Sequence, residues 1–488
     1  MIRDAALCSK AAYSTPNSMQ AKRHDGLTGT RTLWCAFSVF ALTSMALPLS
    51  STLGLAAKSV APTSQQISEY EASTESTRVK LLITLAKSGQ QDLAESLLKR
   101  YPLTGEFAPN RQLFIEGLVL KARGNLTGAA KNYRAALADD PSLTLVRSEL
   151  AQTLFILQED DSAKHHLNLL MAEAPNDYEA QGIRSFIDTI DARRPFSFSA
   201  YISAAPSTNV NNGSSKKTIY SPVFGADLDI DDESREQSGV GFSTGLSAGY
   251  SHRLGNDFSV VLGGGINASI YTDDDYNSFN ASQSAELRYL IANGFLGAGM
   301  VASENRSYDI SQQENDFYYS YGPRVSLQKA ISPKDRINFS SVYEWRKYDI
   351  NPQSDGTALM IDGSWSHAFD SSLTASLSAG YDQIETGIDY NSFETYSGGF
   401  GLYKELPKGI TVNLNGELRL SEFDAMHPIA GIVREDRRYM GSIAFTKRDF
   451  NIWGYAPAIE YTYIYNDSNI SIYEFDSHAI DFKLSKDF

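Results

Sequence analysis

The sequence predicts an α+β multidomain protein in which α-helical tetratricopeptide repeats precede a 14-stranded antiparallel transmembrane β-barrel. Three observations support this prediction. A secretory leader begins the chain, a 34-residue apolar repeat follows it, and from Pro195 onward the apolar period changes to two. We therefore divide the chain into a signal peptide at 1–57, a linker at 58–77, a periplasmic repeat domain at 78–192 and a barrel at 195–488.

The N-terminal segment has the parts of a secretory signal. Basic residues from Lys22 to Arg31 precede an apolar stretch at 33–49, and small residues follow it. A start at Met19 would give this leader a more usual length. A membrane anchor helix is the alternative, but the apolar stretch is shorter than the roughly 20 residues that a span needs. The mature protein is thus expected to cross the inner membrane.

Composition excludes several classes of function. The 488 residues carry a formal net charge of -15, which argues against nucleic acid as a partner, because polyphosphate binding needs a basic surface. The chain has 2 cysteines, Cys8 and Cys35, and both lie in or before the leader. The mature chain would then have no disulfide, zinc thiolate or thiol nucleophile. Trp34 stands where lipoprotein signals carry a small residue, so we do not predict lipidation at Cys35.

The repeat segment contains six positions that recur after 34 residues. The first row is Gly117, Leu120, Ala129, Tyr133, Ala136 and Pro141, and the second is Ala151, Leu154, Ala163, Leu167, Leu170 and Pro175. Small residues let the two helices of a tetratricopeptide unit touch, and the proline ends the second helix. An upstream echo at Gly89 and Ala94 brings the count to three or nearly three units, about the minimum for a stable stack. An unrelated helical bundle is the alternative.

A stack of such repeats forms a concave groove, and we place four polar side chains in it as a client-binding site: Arg111, Lys121, Arg147 and Gln152. An equally open interpretation is that these four side chains lie on solvated helix surface. His165 and His166 are adjacent, so on a helix they point about 100° apart and cannot face one metal ion. We expect both histidines on the surface.

The segment after Pro195 alternates apolar and polar residues. In one run Ile410, Val412 and Leu414 form an apolar face, while Asn413 and Asn415 belong to a polar face. We count fourteen runs of this kind between 196 and 488, an even number that returns both ends of a bacterial barrel to the periplasmic side. Tight turns alternate with longer loops rich in Asp and Asn, which is typical of outer-membrane barrels.

The closing strand ends in Phe488, and a terminal phenylalanine is the usual signal by which barrel-assembly machinery recognises its substrates. A soluble β-sandwich or β-helix is the alternative. The length of the runs favours the barrel, because roughly 9 to 11 tilted residues span a bilayer and sandwich strands are about half as long.

The sequence predicts no catalytic residue, no metal site and no cofactor, since it contains none of the usual catalytic or phosphate-binding motifs. Asp227, Asp229 and Asp231 begin like a calcium loop. Asp232 and Ser238 stand where that loop needs glycine and glutamate, so we predict a solvated acidic outer loop there.

The junction between the two domains contains Pro195 and Phe196. A segment with proline and several asparagines, which we call the strand exit, follows the first predicted strand. The exit residues are Pro206, Asn209, Asn211 and Asn212. With the leader, the repeats and the barrel, these residues resemble the surface lipoprotein assembly modifiers, the Slam proteins of type eleven secretion. The architecture covers nearly the whole mature chain, whereas the junction motif is short.

The resemblance implies a non-enzymatic outer-membrane translocator that moves client proteins, either lipoproteins or secreted proteins, to the surface or medium. The repeat groove would receive the client or its periplasmic chaperone, and the barrel would be the conduit, embedded in lipid and lipopolysaccharide. Two alternatives stay open. One is an exopolysaccharide exporter, which also couples helical repeats to a barrel, and the other is a passive porin-like channel.

Overall fold

The computed structural model describes residues 64–273, 276–309, 314–349, 351–448, 450 and 455–485. The predicted signal peptide, the start of the predicted linker and Phe488 lie outside the described residues. Within the described residues, no helix is both long enough and apolar enough to cross a bilayer.

The first part of the described chain is a helical domain, residues 64–193, in which consecutive helices pack against one another. Its α-helices are α1 (Ser64–Ala72), α2 (Glu75–Lys87), α3 (Gln91–Arg100), α4 (Ala108–Ala122), α5 (Leu126–Asp139), α6 (Thr144–Leu157), α7 (Asp160–Met171) and α8 (Asp177–Arg193). The linker predicted at 58–77 is therefore helical from Ser64, which corrects its composition-based assignment. The hydroxyl of Thr74 accepts a hydrogen bond from the backbone N–H of Thr77 and caps α2 inside that segment.

The recurring small and apolar positions lie in the core of the helical domain. Ala129, Tyr133 and Ala136 on α5 are fully buried, as are their counterparts on α7, Ala163 and Leu167. Gly117 on α4 faces the Tyr133 ring so closely that a β-carbon there would overlap it. The absence of a side chain at this position lets α4 and α5 approach each other, as the repeat pattern predicts.

Fourteen strands of the described chain close an antiparallel barrel, which confirms the predicted fold class. They are β1 (Phe196–Ser207), β4 (Gly239–Leu254), β5 (Phe258–Tyr271), β6 (Ser278–Ile291), β7 (Gly294–Asp309), β8 (Glu314–Ala330), β9 (Asp335–Tyr348), β10 (Gly356–Asp370), β11 (Leu373–Thr386), β12 (Phe393–Leu406), β13 (Ile410–Met426), β14 (Val433–Lys447), β15 (Ala456–Ser468) and β16 (Phe475–Ser485). Each pairs with its sequence neighbour, and β1 closes the ring between β4 and β16. A separate hairpin, β2 (Thr218–Ser221) and β3 (Ala226–Asp229), lies in the loop after β1.

Side chains alternate between the two faces of the barrel wall. The outward face carries large apolar side chains that are exposed, such as Phe198, Phe242, Ile266, Phe400 and Ile459. The inward face carries glycine together with serine, asparagine and charged side chains, and these polar groups form hydrogen bonds across strands and within them. An apolar outer belt around a polar lumen is the arrangement of a barrel that sits in lipid.

Two glycines of β10 meet very different surroundings. A β-carbon on Gly356 would overlap the carbonyl oxygen of Glu385 on β11, whereas a β-carbon on Gly363 meets nothing within 4 Å. We expect Gly356→Ala to destabilise the barrel by about 1–3 kcal/mol because the strands must separate locally. Gly363→Ala is the matched control and should leave stability unchanged. Thermal unfolding, followed by heat-dependent migration on gels, measures both variants, and equal unfolding temperatures would contradict the predicted clash.

Candidate functional site

The helical domain contacts the barrel at one end, which we call the proximal mouth. In the β12–β13 turn, the backbone N–H groups of Lys408 and Gly409 donate to the carbonyl oxygen of Ala138 at the end of α5, the second at 3.2 Å. In the β10–β11 turn, the backbone N–H of Ser371 donates to the Glu173 carboxylate at 2.8 Å. Two neighbouring turns of the barrel thus hold the same side of the helical domain.

A third contact lies on the opposite side of the ring. Arg253, near the end of β4, pairs with Asp188 of α8 at 3.1 Å, and α8 leads directly into β1. In the strand order, β12 is six strands from β4 in one direction and β10 is six strands away in the other. The helical domain is therefore attached to opposite sides of the ring and lies across the proximal mouth.

A buried carboxylate at the end of β12 holds the centre of this contact. The Glu405 side chain has 0% exposure, and its Oε2 accepts from Nη2 of the fully buried Arg147 on α6 at 2.7 Å. Its Oε1 accepts from Nη1 of Arg448, which follows β14, at 2.5 Å and from the Tyr403 hydroxyl at 3.0 Å. Arg147 also donates to the carbonyl oxygen of Pro141 at 2.6 Å. One carboxylate therefore joins a cation of the helical domain to a cation of the barrel.

Two histidines of α7 complete this group. His165 Nε2 lies 3.5 Å from Glu405 Oε1, and His166 Nδ1 lies 3.3 Å from Arg147 Nη1. Burial lowers the pKa of His166 well below its usual value, and the nearby His165 and Arg147 lower it further. The expectation that both histidines lie on open surface is wrong, because the barrel rim faces them. We call the five residues Arg147, His165, His166, Glu405 and Arg448 the latch cluster.

The structure also corrects the predicted position of Arg147. Its place in the repeat suggested an open groove, but its guanidinium is enclosed between α6, α7 and β12 and is unavailable to a client in this arrangement. Sequence reasoning missed Glu405 and Arg448 altogether. Their residue types near tight turns carry no local signal, since their partner lies in another domain.

The other predicted groove residues pair within the helical domain. Arg111 binds Glu75 at 2.5 Å, and Lys121 binds both Glu149 at 2.7 Å and Gln152 at 3.2 Å. Burial raises the pKa of Glu149, but the ammonium groups beside it outweigh burial and bring the pKa below the usual value. These side chains therefore connect neighbouring helices, and their role toward a client remains a prediction.

A cavity of about 810 Å³ lies beside the latch cluster, between the helical domain and the barrel rim. It is lined by both signs of charge, among them Lys131, Arg134, Asp161, Arg194 and Arg448. Besides Arg448, which binds Glu405, two of these cations are already paired, Arg134 with Glu159 at 2.5 Å and Arg194 with Asp161 at 2.9 Å. The cavity is therefore a space lined by charged groups between the helical domain and the barrel rim.

The lumen beyond the mouth has two unlike walls. One arc carries acid–base pairs on single strands, in which Glu286 binds Arg288 at 2.5 Å and Glu417 binds Arg419 at 2.8 Å. The arc of β1, β4 and β5 is lined instead by small polar residues, and Ser199 bonds to Ser247 across β1 and β4 at 2.6 Å. Within these two pairs the charges neutralise each other, so this part of the lumenal wall is polar without a dominant sign.

At the far end of the barrel, the junction motif fixes the loop at 208–238. Asn209 is 3% exposed and donates to the carbonyl oxygens of Gly213 and Asp476 at 2.8 and 3.0 Å. Asn211 donates to two carbonyl oxygens of the same loop and accepts from the backbone N–H of Gln237 at 3.0 Å. The asparagines predicted as a strand exit therefore act as internal anchors for the loop.

The other residues of the motif lie on the backbone path. The carbonyl oxygen of Pro195 accepts a hydrogen bond from the backbone N–H of Ser251 at 2.7 Å. The exposed Phe196 ring packs on the Tyr250 ring, with 4.9 Å between the ring centroids. Pro206 lies on β1 opposite Val240.

The anchored loop packs onto two other far-end loops. Ile219 and Ile230 of the β2–β3 region form a buried apolar cluster with Ala430 and Ile470. The Ser221 hydroxyl also donates to the carbonyl oxygen of Ile429 at 2.5 Å. These loops therefore form one joined structure above the strands between β1 and β13.

We predict that Asn211→Asp loosens this loop, because a carboxylate cannot donate to the carbonyl oxygens of Glu233 and Arg235. Asn212→Asp is the matched control: Asn212 is exposed and has a positive φ of 53°, which aspartate also tolerates. Limited proteolysis of the outer surface should cut the loop at 208–238 faster in the first variant only. Equal rates of cutting in the two variants would show that Asn211 does not anchor the loop.

Neither end of the barrel presents a metal site in the described residues, where no three His, Cys, Asp or Glu side chains are grouped to hold an ion. Asp227 and Asp229, the start of the calcium-like pattern, lie on β3 and pair with β2. Their arrangement is that of a hairpin.

These features define an outer-membrane β-barrel protein whose N-terminal helical domain lies on the periplasmic side, across the mouth of the lumen. The chain belongs to the surface lipoprotein assembly modifier family, whose model matches residues 196–488. The match covers the whole barrel.

Relatives extend the similarity into the helical domain. Surface lipoprotein assembly modifier 1 of Haemophilus influenzae is 23% identical over 81% of this chain and 80% of its own length. The surface lipoprotein assembly modifier of Pasteurella multocida is 24% identical over 87% of this chain and 86% of its own length. The hemophilin secretion modulator of Acinetobacter baumannii is 22% identical over 77% of this chain and 78% of its own length. These descriptions indicate assembly and secretion and name no enzyme.

Among solved structures, the outer-membrane channel DcaP of Acinetobacter baumannii is similar over 59% of this chain and 96% of its own, with 10% identity and a TM-score of 0.34. A FadL homologue of Pseudomonas aeruginosa is similar over 59% and 89%, with 11% identity and a TM-score of 0.32.

Proposed function

We propose that this protein exports client proteins, surface lipoproteins first among them, from the periplasm across the outer membrane. The helical domain receives the client, and the barrel is the conduit. The observation that carries the proposal is the attachment of the helical domain to opposite sides of the periplasmic mouth, at Arg253 and at the β10–β11 and β12–β13 turns.

This placement supports a receiving role because any large solute must pass the helical domain before it reaches the lumen. A passive channel gains nothing from a domain across its mouth. The family descriptions of the relatives point the same way, since they name surface lipoproteins or secretion.

The lumen suits a polypeptide in transit. Some of its acidic and basic side chains are paired on their own strands, as with Glu286 and Arg288, so these groups bind a passing chain weakly. The serine and glycine wall of β1, β4 and β5 offers hydrogen-bonding groups and few large side chains.

Deletion of the gene tests the proposal, with the complemented strain as control. We expect specific lipoproteins to disappear from the protease-accessible surface while remaining in the cell, and secreted glycan to stay constant. An unchanged surface proteome with lost polysaccharide would instead identify a polysaccharide exporter. A large, stable conductance of the isolated protein in planar bilayers, together with an unchanged surface proteome, would identify a porin.

A further inference from the structure

We propose that Glu405 is the residue that positions the helical domain on the barrel mouth, and that proton uptake by His166 releases the domain.

The first argument is the balance of charge. Glu405 contributes one negative charge, whereas Arg147 and Arg448 contribute two positive charges within hydrogen-bond distance of it. The cluster therefore already holds excess positive charge in a buried place. A cationic His166 would add another and would lie beside Arg147, 3.3 Å from its Nη1.

The second argument is the direction of a hydrogen bond. A guanidinium has only donors, so in the contact with Arg147 the Nδ1 atom of His166 must accept. It can accept only while the imidazole is neutral. Protonation would set two donors against each other beside the fully buried Arg147, and the docked arrangement would lose that hydrogen bond.

Most of the groups that face His166 lower its pKa. His165 on the same helix, Arg147 on α6 and Arg448 of the barrel all lower its pKa, as does burial, and only Glu405 of β12 raises it. His165 itself faces the carboxylate of Glu405 at 3.5 Å, so a positive charge there would strengthen docking. Acid sensitivity is therefore assigned to His166 and not to its neighbour.

The sign of the pH effect follows from this direction. In the docked state the pKa of His166 lies below the value of about 6.5 that a free imidazole has. Undocking is therefore coupled to proton uptake. Docking is fully stable above about pH 6.5 and weakens as the pH falls, by up to about 30-fold at pH 5 if the released imidazole regains its usual pKa.

The remaining contacts allow such a release without loss of the domain. α8 continues into β1, so the helical domain stays tethered there. The Arg253–Asp188 pair has side chains 50% and 59% exposed, and exposed pairs contribute little. The domain would therefore swing away from the β10–β13 side of the mouth.

Distance measurements between spin labels test the inference on the full chain in detergent or lipid. The labels replace two exposed residues, Lys99 on α3 and Ile331 in the β8–β9 turn, after Cys8 and Cys35 are changed to serine. At pH 7.5 we expect one narrow distance distribution. At pH 5 we expect a second, longer and broader population.

Three variants sharpen the test. His166→Asn keeps a neutral acceptor for Arg147 and should hold the narrow distribution at both pH values, whereas His165→Asn should leave the acid response in place. Glu405→Gln should broaden the distribution even at pH 7.5. Identical wild-type distributions at both pH values, or an acid response that survives His166→Asn, would overturn the role of His166. A narrow distribution in Glu405→Gln would overturn the role of Glu405.

Discussion

Replacing Arg147 with glutamate is expected to detach the helical domain from the barrel. The substitution places a second carboxylate against the fully buried Glu405 and removes the donor to Pro141. Breaking one partner of a buried ion pair costs about 3–5 kcal/mol, and a like charge adds repulsion. The surviving contacts are two turns and an exposed ion pair, which cannot compensate. We therefore expect Arg147→Glu to show the undocked distance distribution at neutral pH and to export little client.

Arg134→Glu is the matched control for this variant. It makes the same change of charge in the helical domain, but Arg134 pairs with Glu159 at a site where both side chains are more than 40% exposed. Such pairs contribute little, so docking and export should stay near the wild-type level. Equal loss of export in the two variants would show that general charge, and not the latch cluster, matters.

A second large effect is expected when the helical domain, residues 64–193, is removed and the leader is joined to the barrel. The strands pair with one another and not with the helices, so the barrel should still insert. Export should fall to the level of the gene-deletion strain, because nothing then receives the client at the mouth.

Insertion of this truncated chain is measured with an epitope placed in the β2–β3 turn, which is exposed around Phe224. Surface labelling of the epitope together with lost export is the expected result. Undiminished export by a labelled, inserted barrel would show that the conduit works without a receiver.

The barrel could be predicted because its signals are local. Alternation of Val412 and Leu414 with Asn413 and Asn415 needs only the two-residue period of a strand, and the register between β12 and β13 retains that pattern. The repeat spacing likewise placed Tyr133 and Ala163 in the core, since helix pairs bury the same positions in every unit.

The latch cluster could not be predicted because its parts are distant in the chain. Arg147 and Glu405 are separated by 258 positions, and each alone resembles an ordinary charged surface residue. The repeat pattern identifies positions that face neighbouring helices, but it does not reveal which face a second domain covers. His166 was misplaced for the same reason. It is half-buried beside Arg147 and lines a cavity that the barrel residues Gly409 and Arg448 also line.

Reconstitution tests the central claim most directly. Lipid vesicles that contain the purified full chain, oriented with the helical domain inside, are loaded with a purified surface lipoprotein of the same cell and treated with external protease. The claim predicts that the lipoprotein becomes accessible to protease in these vesicles and stays protected in vesicles without the protein. Continued protection in vesicles whose barrel is folded and correctly oriented would contradict it.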